Sequence, residues 1–225
     1  MNPLLPWGLM LLSYFIGSIP IGVLVAKAKG IDITQVGSGN VGATNVARVL
    51  GKGPGLAVFL LDVAKGLVPC LLATNLTSTP VLGMMTRADF AFVCGVLAML
   101  GHMFSPFLKF KGGKGIATGL GMLFGAAPLV AVAAFGVFLV LMAITRIVSL
   151  SSIVATVVMV TSGFILSNSI VGSWVLLAVG TFVLVKHIPN MKRLREGTES
   201  KFSFGSKKSE QGEGGQEGEG SNRES

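Results

Sequence analysis

Six apolar runs, 4–26, 55–74, 90–108, 116–145, 150–167 and 170–185, divide the chain, with short polar stretches between them. None alternates apolar and polar residues with the period of two that a barrel strand needs. Runs of about 20 apolar residues cross a bilayer as helices, because a helix satisfies its own backbone where there is no water. The run 116–145 is too long for one crossing and is interrupted by Pro128. Charge decides how it divides. No Lys or Arg precedes the first helix, whereas Lys27 and Lys29 follow it, which biases the N-terminus outside and the 27–52 segment to the cytoplasm. One crossing by 116–145 would put Arg146 and the cluster Lys192, Arg193, Arg195 outside. Two crossings, turning near Ala126–Pro128, keep both inside and leave Arg87 as the only basic residue in an outer loop.

The pattern therefore predicts an all-α polytopic membrane protein of seven transmembrane helices, N-terminus outside and C-terminus cytoplasmic. Its 116–127 helix reaches only about 18 Å at 1.5 Å per residue. The first helix lacks the basic n-region of a signal peptide and is expected to stay uncleaved. The membrane domain takes in residues 1–196, and 197–225 reads as a Gly/Glu/Ser-rich cytoplasmic tail, too polar to bury a core and expected to be disordered.

Composition agrees with the pattern: only 12% of residues are charged, about half the share of a soluble domain. The net charge of +8 is unevenly spread. Residues 1–189 carry eleven basic and three acidic side chains, and 190–225 carry seven of each. The basicity thus belongs to one face of the bundle, where anionic lipid headgroups attract it, and not to a tail that binds nucleic acid. Cys70 and Cys94 lie in apolar runs without metal-ligand spacing and read as packing residues.

The chemistry concentrates in four polar segments on the predicted cytoplasmic face. VGSGNVGATN at 36–45 sets Gly37, Gly39 and Gly42 among Ser38, Asn40, Thr44 and Asn45, with Arg48 three residues on. Glycines let successive N–H groups turn inward on an anion, so the segment reads as a phosphate cradle, and a guanidinium beside it binds phosphate bidentately. FKGGKG at 110–115 brings Gly112, Gly113 and Lys114 to a helix N-terminus, again suited to phosphate, without the spacing of a nucleotide P-loop. Ser149, Ser151 and Ser152 follow Arg146 and can N-cap the next helix. His187 and Asn190 lie three apart and share a helix face, with Pro189 marking a helix end. Asp62 and Lys65, also three apart, read as an ion pair fixing helix packing, although intramembrane charges mark sites by default. His102 reads as a packing histidine. No Gly-x-Ser-x-Gly elbow, His-x4-Asp or metal cluster occurs, and few acids precede the tail to serve as general base. The chemistry then rests on phosphate binding, positioning and an already activated substrate.

GSGNVGATN, GHMF followed by FKGGKGIAT, RIVSLSS and HIPNMKRLREGTESKF occur in this order. Together they closely resemble the bacterial acyl-phosphate:glycerol-3-phosphate acyltransferases, over residues 13 to 204. The resemblance implies a seven-helix inner-membrane enzyme with its active site at the cytoplasmic face. Such an enzyme transfers an acyl group from acyl phosphate to the 1-hydroxyl of glycerol 3-phosphate, the first acylation step of phospholipid synthesis. It implies membrane lipid as surroundings, no cofactor and no metal, and names no protein partner. Carried over residue by residue, Ser38 and the Gly39–Asn45 backbone match a phosphate-binding segment. Arg48, Lys114 and Ser152 match residues that hold glycerol 3-phosphate, and His187 with Asn190 match the C-terminal site pair. Ser105 before Pro106, and Pro189 between the site His and Asn, depart from the pattern. A small anion transporter and an acyltransferase using acyl-CoA or acyl-carrier protein are the alternatives. The first is disfavoured by polar groups gathered at one face and by the lack of an inverted repeat.

Overall fold

The computed structural model describes residues 3–167 and 169–202, and every apolar run is helical in it. The order is α1 (Leu5–Ser18), α2 (Ile21–Lys27), α3 (Ala43–Leu50), α4 (Lys52–Leu76), α5 (Arg87–Met103), a 3-10 turn (Pro106–Leu108), α6 (Ile116–Ala126), α7 (Pro128–Thr145), α8 (Val148–Leu166), α9 (Ile170–Lys186) and α10 (Ile188–Arg195). Among the described residues, five stretches are long and apolar enough to cross a membrane: Leu5–Lys27, Lys52–Leu76, Arg87–Leu108, Pro128–Thr145 and Val148–Leu166. α9 and α10 meet the same test only as a pair, bent by 53°. The protein is an all-helical, multi-pass integral membrane protein with five to six candidate spans. α6 has 11 residues and falls short of that length. It ends at Ala126, and Pro128 opens α7 at its first turn, where a missing N–H costs nothing.

The first run, expected as one helix, is broken at Ile19–Pro20. Proline cannot donate to the carbonyl one turn back, so the ladder opens there. The freed carbonyls have found distant partners: Ser105 Oγ donates to Ser18 O (2.7 Å) and Lys65 Nζ to Ile19 O (3.0 Å). Lys65 also pairs with Asp62 at 2.8 Å, both residues buried, so the predicted ion pair ties α4 to the α1–α2 break. The third run likewise ends as helix at Met103, and Ser105–Pro106 starts a separate turn.

α6 packs against α4 and α5, α1 against α5, and α8 against both α7 and α9. Phe90, Phe92, Met122 and Leu176 fill the main core, joined by Cys70 and Cys94, which are free and buried. α4 and α6 approach very closely. A methyl group on Gly66 would lie 2.0 Å from Thr118 O, and one on Gly121 1.9 Å from Val63 O; membrane helices use small residues for such contact. The outward faces are apolar: Ile144 is 74% and Ile165 78% exposed, as lipid-facing side chains are.

Two short helices, α3 and α10, lie in segments read as loop or helix end. The segment 197–202, assigned to the tail by composition, folds back on the bundle, with Phe202 N–H donating to Arg146 O at 2.6 Å. The rest of the expected disordered tail, from residue 203, lies outside the described residues.

Candidate active site

Asn45, buried in the first turn of α3, organises the 36–45 segment. Its Oδ1 accepts from Ser38 N–H at 2.8 Å, and its Nδ2 donates to Val36 O at 3.0 Å and Ile33 O at 3.2 Å. The resulting turn needs left-handed backbone at Gly37 (φ 62°) and Gly39 (φ 68°), which only glycine adopts without strain. Gly39 N–H donates to Val36 O, and Asn40 Oδ1 accepts from Gly42 N–H at 2.9 Å, which sets Gly42 as the N-cap of α3. The N–H groups of Ser38, Gly39 and Gly42 are therefore engaged within the segment. Those of Ala43 and Thr44 begin α3 and have no intrahelical partner. The Ser38 side chain is exposed, and Arg48 extends from the last turn of α3.

The 110–115 segment is built differently. Gly112 N–H donates to Met103 O (3.0 Å) and Gly113 N–H to His102 O (3.2 Å), closing the C-terminus of α5. A methyl on Gly112 would lie 2.0 Å from His102 O, and one on Gly113 2.2 Å from His102 Nε2. These two glycines permit close approach, and their N–H groups face α5 and not a ligand. Gly115 caps α6 with φ 80°. The functional part of this segment is the Lys114 side chain.

Lys114 Nζ donates to Asn190 Oδ1 at 2.5 Å, joining segments 76 residues apart. Asn190 Nδ2 donates to Glu199 Oε1 at 2.6 Å, and Arg193 Nε to Glu199 Oε2 at 2.6 Å. Asn190 is buried and its amide is fully oriented: oxygen to the ammonium, nitrogen to the carboxylate. His187, also buried, stands one turn away at the α9–α10 bend. Its Nδ1 lies 2.9 Å from Val183 O. A carbonyl only accepts, so the neutral ring carries its proton on Nδ1 and a lone pair on Nε2. Pro189 sits in the first turn of α10, where it starts the new helix and turns Asn190 toward Lys114.

Electrostatics follow from this packing. Burial lowers the Lys114 ammonium to about 8; Glu199 opposes the shift, and the charges of Arg193 and Arg48 add to it. Burial raises Glu199, but the nearby Ser149 hydroxyl and hydrogen bonds from Asn190 and Arg193 outweigh it and hold the carboxylate below its ordinary range. Arg48 and Lys114 thus act on each other, a concentration of positive charge suited to a phosphate dianion.

None of the three serines caps α8. Its N-cap is Ile147, and Ser151 and Ser152 donate back to Ile147 O (3.0 Å) and Val148 O (2.9 Å) inside the helix. Ser149 Oγ is buried without a hydrogen bond among the described residues and lies near Glu199. Ser152 lines an apolar cleft that begins at Gly115 and runs between helices past Phe59, Leu123, Phe138 and Met159.

The structure thus brings together Lys114, His187, Asn190 and, through its charge, Arg48. No hydrogen bond joins 37–45 to Lys114, His187 or Asn190 among the described residues. Glu199 and Arg193 were missed from the sequence, since the composition boundary at 197 put Glu199 in the tail. Arg193 carried a signal: it follows His187 and Asn190 at helical spacing. Among the described residues no three His, Cys, Asp or Glu side chains cluster as metal ligands do.

The family model described as glycerol-3-phosphate acyltransferase matches residues 7–197. A glycerol-3-phosphate acyltransferase of Geobacter sulfurreducens is 43% identical over 190 residues, 84% of this chain and 94% of that protein. One from Aquifex aeolicus is 40% identical over 202 residues, covering 86% and 97%. The crystal structure of PlsY, an integral membrane glycerol 3-phosphate acyltransferase, in its glycerol 3-phosphate form superposes with a TM-score of 0.80 at 38% identity, over 88% of this chain and 96% of that one. Its lysophosphatidic acid form gives 0.78 at 38% identity, over 88% and 95%.

Proposed function

The chain belongs to the glycerol-3-phosphate acyltransferase family and is an enzyme that makes lysophosphatidic acid, and from that premise we propose its donor, its residue roles and its topology. The donor is an acyl phosphate. The observation that carries this reading is the Lys114–Asn190 contact, which gathers a half-buried ammonium, Arg48 and His187 at the mouth of an apolar cleft. Lys114 and Arg48 hold the phosphate of glycerol 3-phosphate. The 37–45 segment, with Ser38 and the free N–H groups of Ala43 and Thr44, holds the phosphate of the donor. The cleft from Gly115 past Ser152 takes the acyl chain.

An acyl phosphate is a mixed anhydride, so no covalent enzyme intermediate is needed. The 1-hydroxyl oxygen bonds to the acyl carbon, the carbon–oxygen bond to phosphate breaks, and phosphate leaves with the electron pair. The hydroxyl proton passes to a phosphate oxygen of the substrates. His187→Ala separates this route from transfer to Nε2. Near-normal kcat with a raised KM fits the substrate route, and a loss confined to kcat assigns the proton to His187. The seven-span topology, N-terminus outside and site cytoplasmic, rests on the basic residues flanking the site segments. α6 then makes the seventh crossing, sheltered by α4 and α5.

Purified enzyme given glycerol 3-phosphate with palmitoyl phosphate, palmitoyl-CoA or palmitoyl-carrier protein tests the donor. Release of phosphate and formation of lysophosphatidic acid from palmitoyl phosphate alone is the expected result. Product from the thioesters and none from the acyl phosphate would overturn it.

A further inference from the structure

His102 and Asp62 lie outside the site yet are joined to it by contacts too specific for filler. His102 grips the Gly112–Gly113 pair twice. Its carbonyl accepts from Gly113 N–H, and its ring lies so close that a methyl on Gly113 would be 2.2 Å from Nε2. Lys114 is the next residue. The other edge of the ring faces α4, with Nδ1 3.8 Å from Asp62 Oδ1. Asp62 is fixed by Lys65 at 2.8 Å, and Lys65 by Ile19 O at the α1–α2 break. A small cavity bounded by Asp62, His102, Ser18, Ser105 and Val41 adjoins the gap; it has room for about one water, enough to bridge Asp62 and His102.

Helix packing alone does not call for this arrangement. A buried ion pair contributes little net stability, and apolar residues of equal volume pack as well. Inside a membrane the charges cost still more. What the chain of contacts does deliver is a rigid seat under the residue that precedes Lys114, anchored on three helices. Shifting the ring shifts Gly113, and with it the point from which the Lys114 side chain leaves the backbone.

We propose that His102, held by Asp62, is a positioning residue that sets where Lys114 presents its ammonium to the phosphate of glycerol 3-phosphate. This rests on the reading that Lys114 binds that phosphate. Neither residue touches the reacting atoms, so the effect belongs to KM for glycerol 3-phosphate.

The test is a kinetic double-mutant cycle on purified enzyme with palmitoyl phosphate as donor, with Lys114→Ala beside it. His102→Ala is expected to raise KM for glycerol 3-phosphate about tenfold, with kcat within twofold and KM for palmitoyl phosphate unchanged, the pattern of lost uniform binding. Gly113→Ala collides with the ring and raises the same KM at least as much. Added to His102→Ala, which removes the ring, it changes KM less than twofold further, because sites in contact are not additive. Asp62→Asn, which keeps the volume and loses the charge, raises KM about threefold by the same route. If His102→Ala cannot be recovered folded, His102→Asn keeps a polar group toward Asp62 and carries the same expectation at about threefold. An unchanged KM with lowered thermal stability, a loss confined to kcat, or additive His102 and Gly113 effects would each overturn the proposal. If Lys114→Ala itself leaves KM for glycerol 3-phosphate unmoved, the reading beneath it fails as well. If Lys114→Ala raises that KM and His102→Ala does not, only the positioning role fails.

Discussion

In the 37–45 segment glycine supplies backbone conformation; in the 110–115 segment, Gly112 and Gly113 supply space. Gly37 and Gly39 take left-handed torsions so that Asn45 can close a turn on Ser38, Val36 and Ile33. Gly112 and Gly113 have no such torsions and instead lie flush against the carbonyl and ring of His102. Similar composition therefore builds a preformed turn in one place and a seat for a single lysine in the other. Richness in glycine shows that the backbone matters there, not that its N–H groups meet a ligand.

The comparison is sharpest at Gly112. Alanine there meets a main-chain oxygen that cannot swing aside, and we expect a loss of about 3 kcal/mol, at the upper end for overpacking, seen as a lowered unfolding temperature in detergent. Asparagine should be no better, since the added Cβ is the offending atom. A Gly112→Ala enzyme as stable as the parent would break the distinction. Next in size is Lys114→Ala, which removes the ammonium proposed to pair with the substrate phosphate. It should lower kcat/KM for glycerol 3-phosphate by about 100-fold, measured by lysophosphatidic acid formation.

The lysine also gives the second segment a pH dependence that glycine turns lack. With the ammonium lowered to about 8, its charged form, the one proposed to bind phosphate, is lost as pH rises through that value. KM for glycerol 3-phosphate should rise about tenfold between pH 7 and pH 9, and Lys114→Arg should flatten the profile. For stability the sign is reversed: burial disfavours the charged lysine, so the penalty is present below about 8 and is relieved as pH rises from there toward the unfolded value near 10.5. The smallest effect belongs to the first segment. Gly39→Ala forces a side-chain residue into left-handed backbone at a cost of about 1 kcal/mol. Gly39→Asn, a residue that tolerates this region, should cost less. Equal losses for the two would remove conformation as the reason for glycine at 39.

The helical segments were legible because hydropathy is a local property. The interruption of 116–145 at Pro128 was legible for the same reason, since proline takes the first turn of a helix readily. Pro20 was not. A proline inside a long apolar run either bends or breaks it, and the outcome here depends on Ser105 and Lys65, both far along the chain, being available to receive the freed carbonyls. α3 stayed hidden because ATNVARVL is short and partly polar, and its start is fixed by Asn45 and Asn40 closing on their own loop. Within the site, Lys114, His187 and Asn190 were readable as residue types in suggestive places. That Asn190 holds Lys114 and is itself held by Glu199 was not readable, because the strap carrying Glu199 looks like tail until it folds back. Gly112 and Gly113 were read for the wrong property, since close approach between a loop and a helix end leaves no trace in spacing.

In the seven-span topology proposed above, α6 crosses the membrane with only 11 residues, and the insulating layer is thinned along it. Gly115 begins α6 beside Lys114, and Ala126 ends it on the wall of an open cavity lined by Thr86, Asp89, Ser167 and Ser169, polar enough to admit water. The rise between them is about 16 Å at helical pitch. A transmembrane voltage falls across whatever low-dielectric material separates two aqueous phases, and here that is about half the usual 30 Å of hydrocarbon. The field along α6 is correspondingly steeper, roughly doubled by this geometry. With the proposed phosphate site at Lys114, a bound dianion would lie at one pole of that field, which would make the electrical state of the membrane part of the environment in which its headgroups are made.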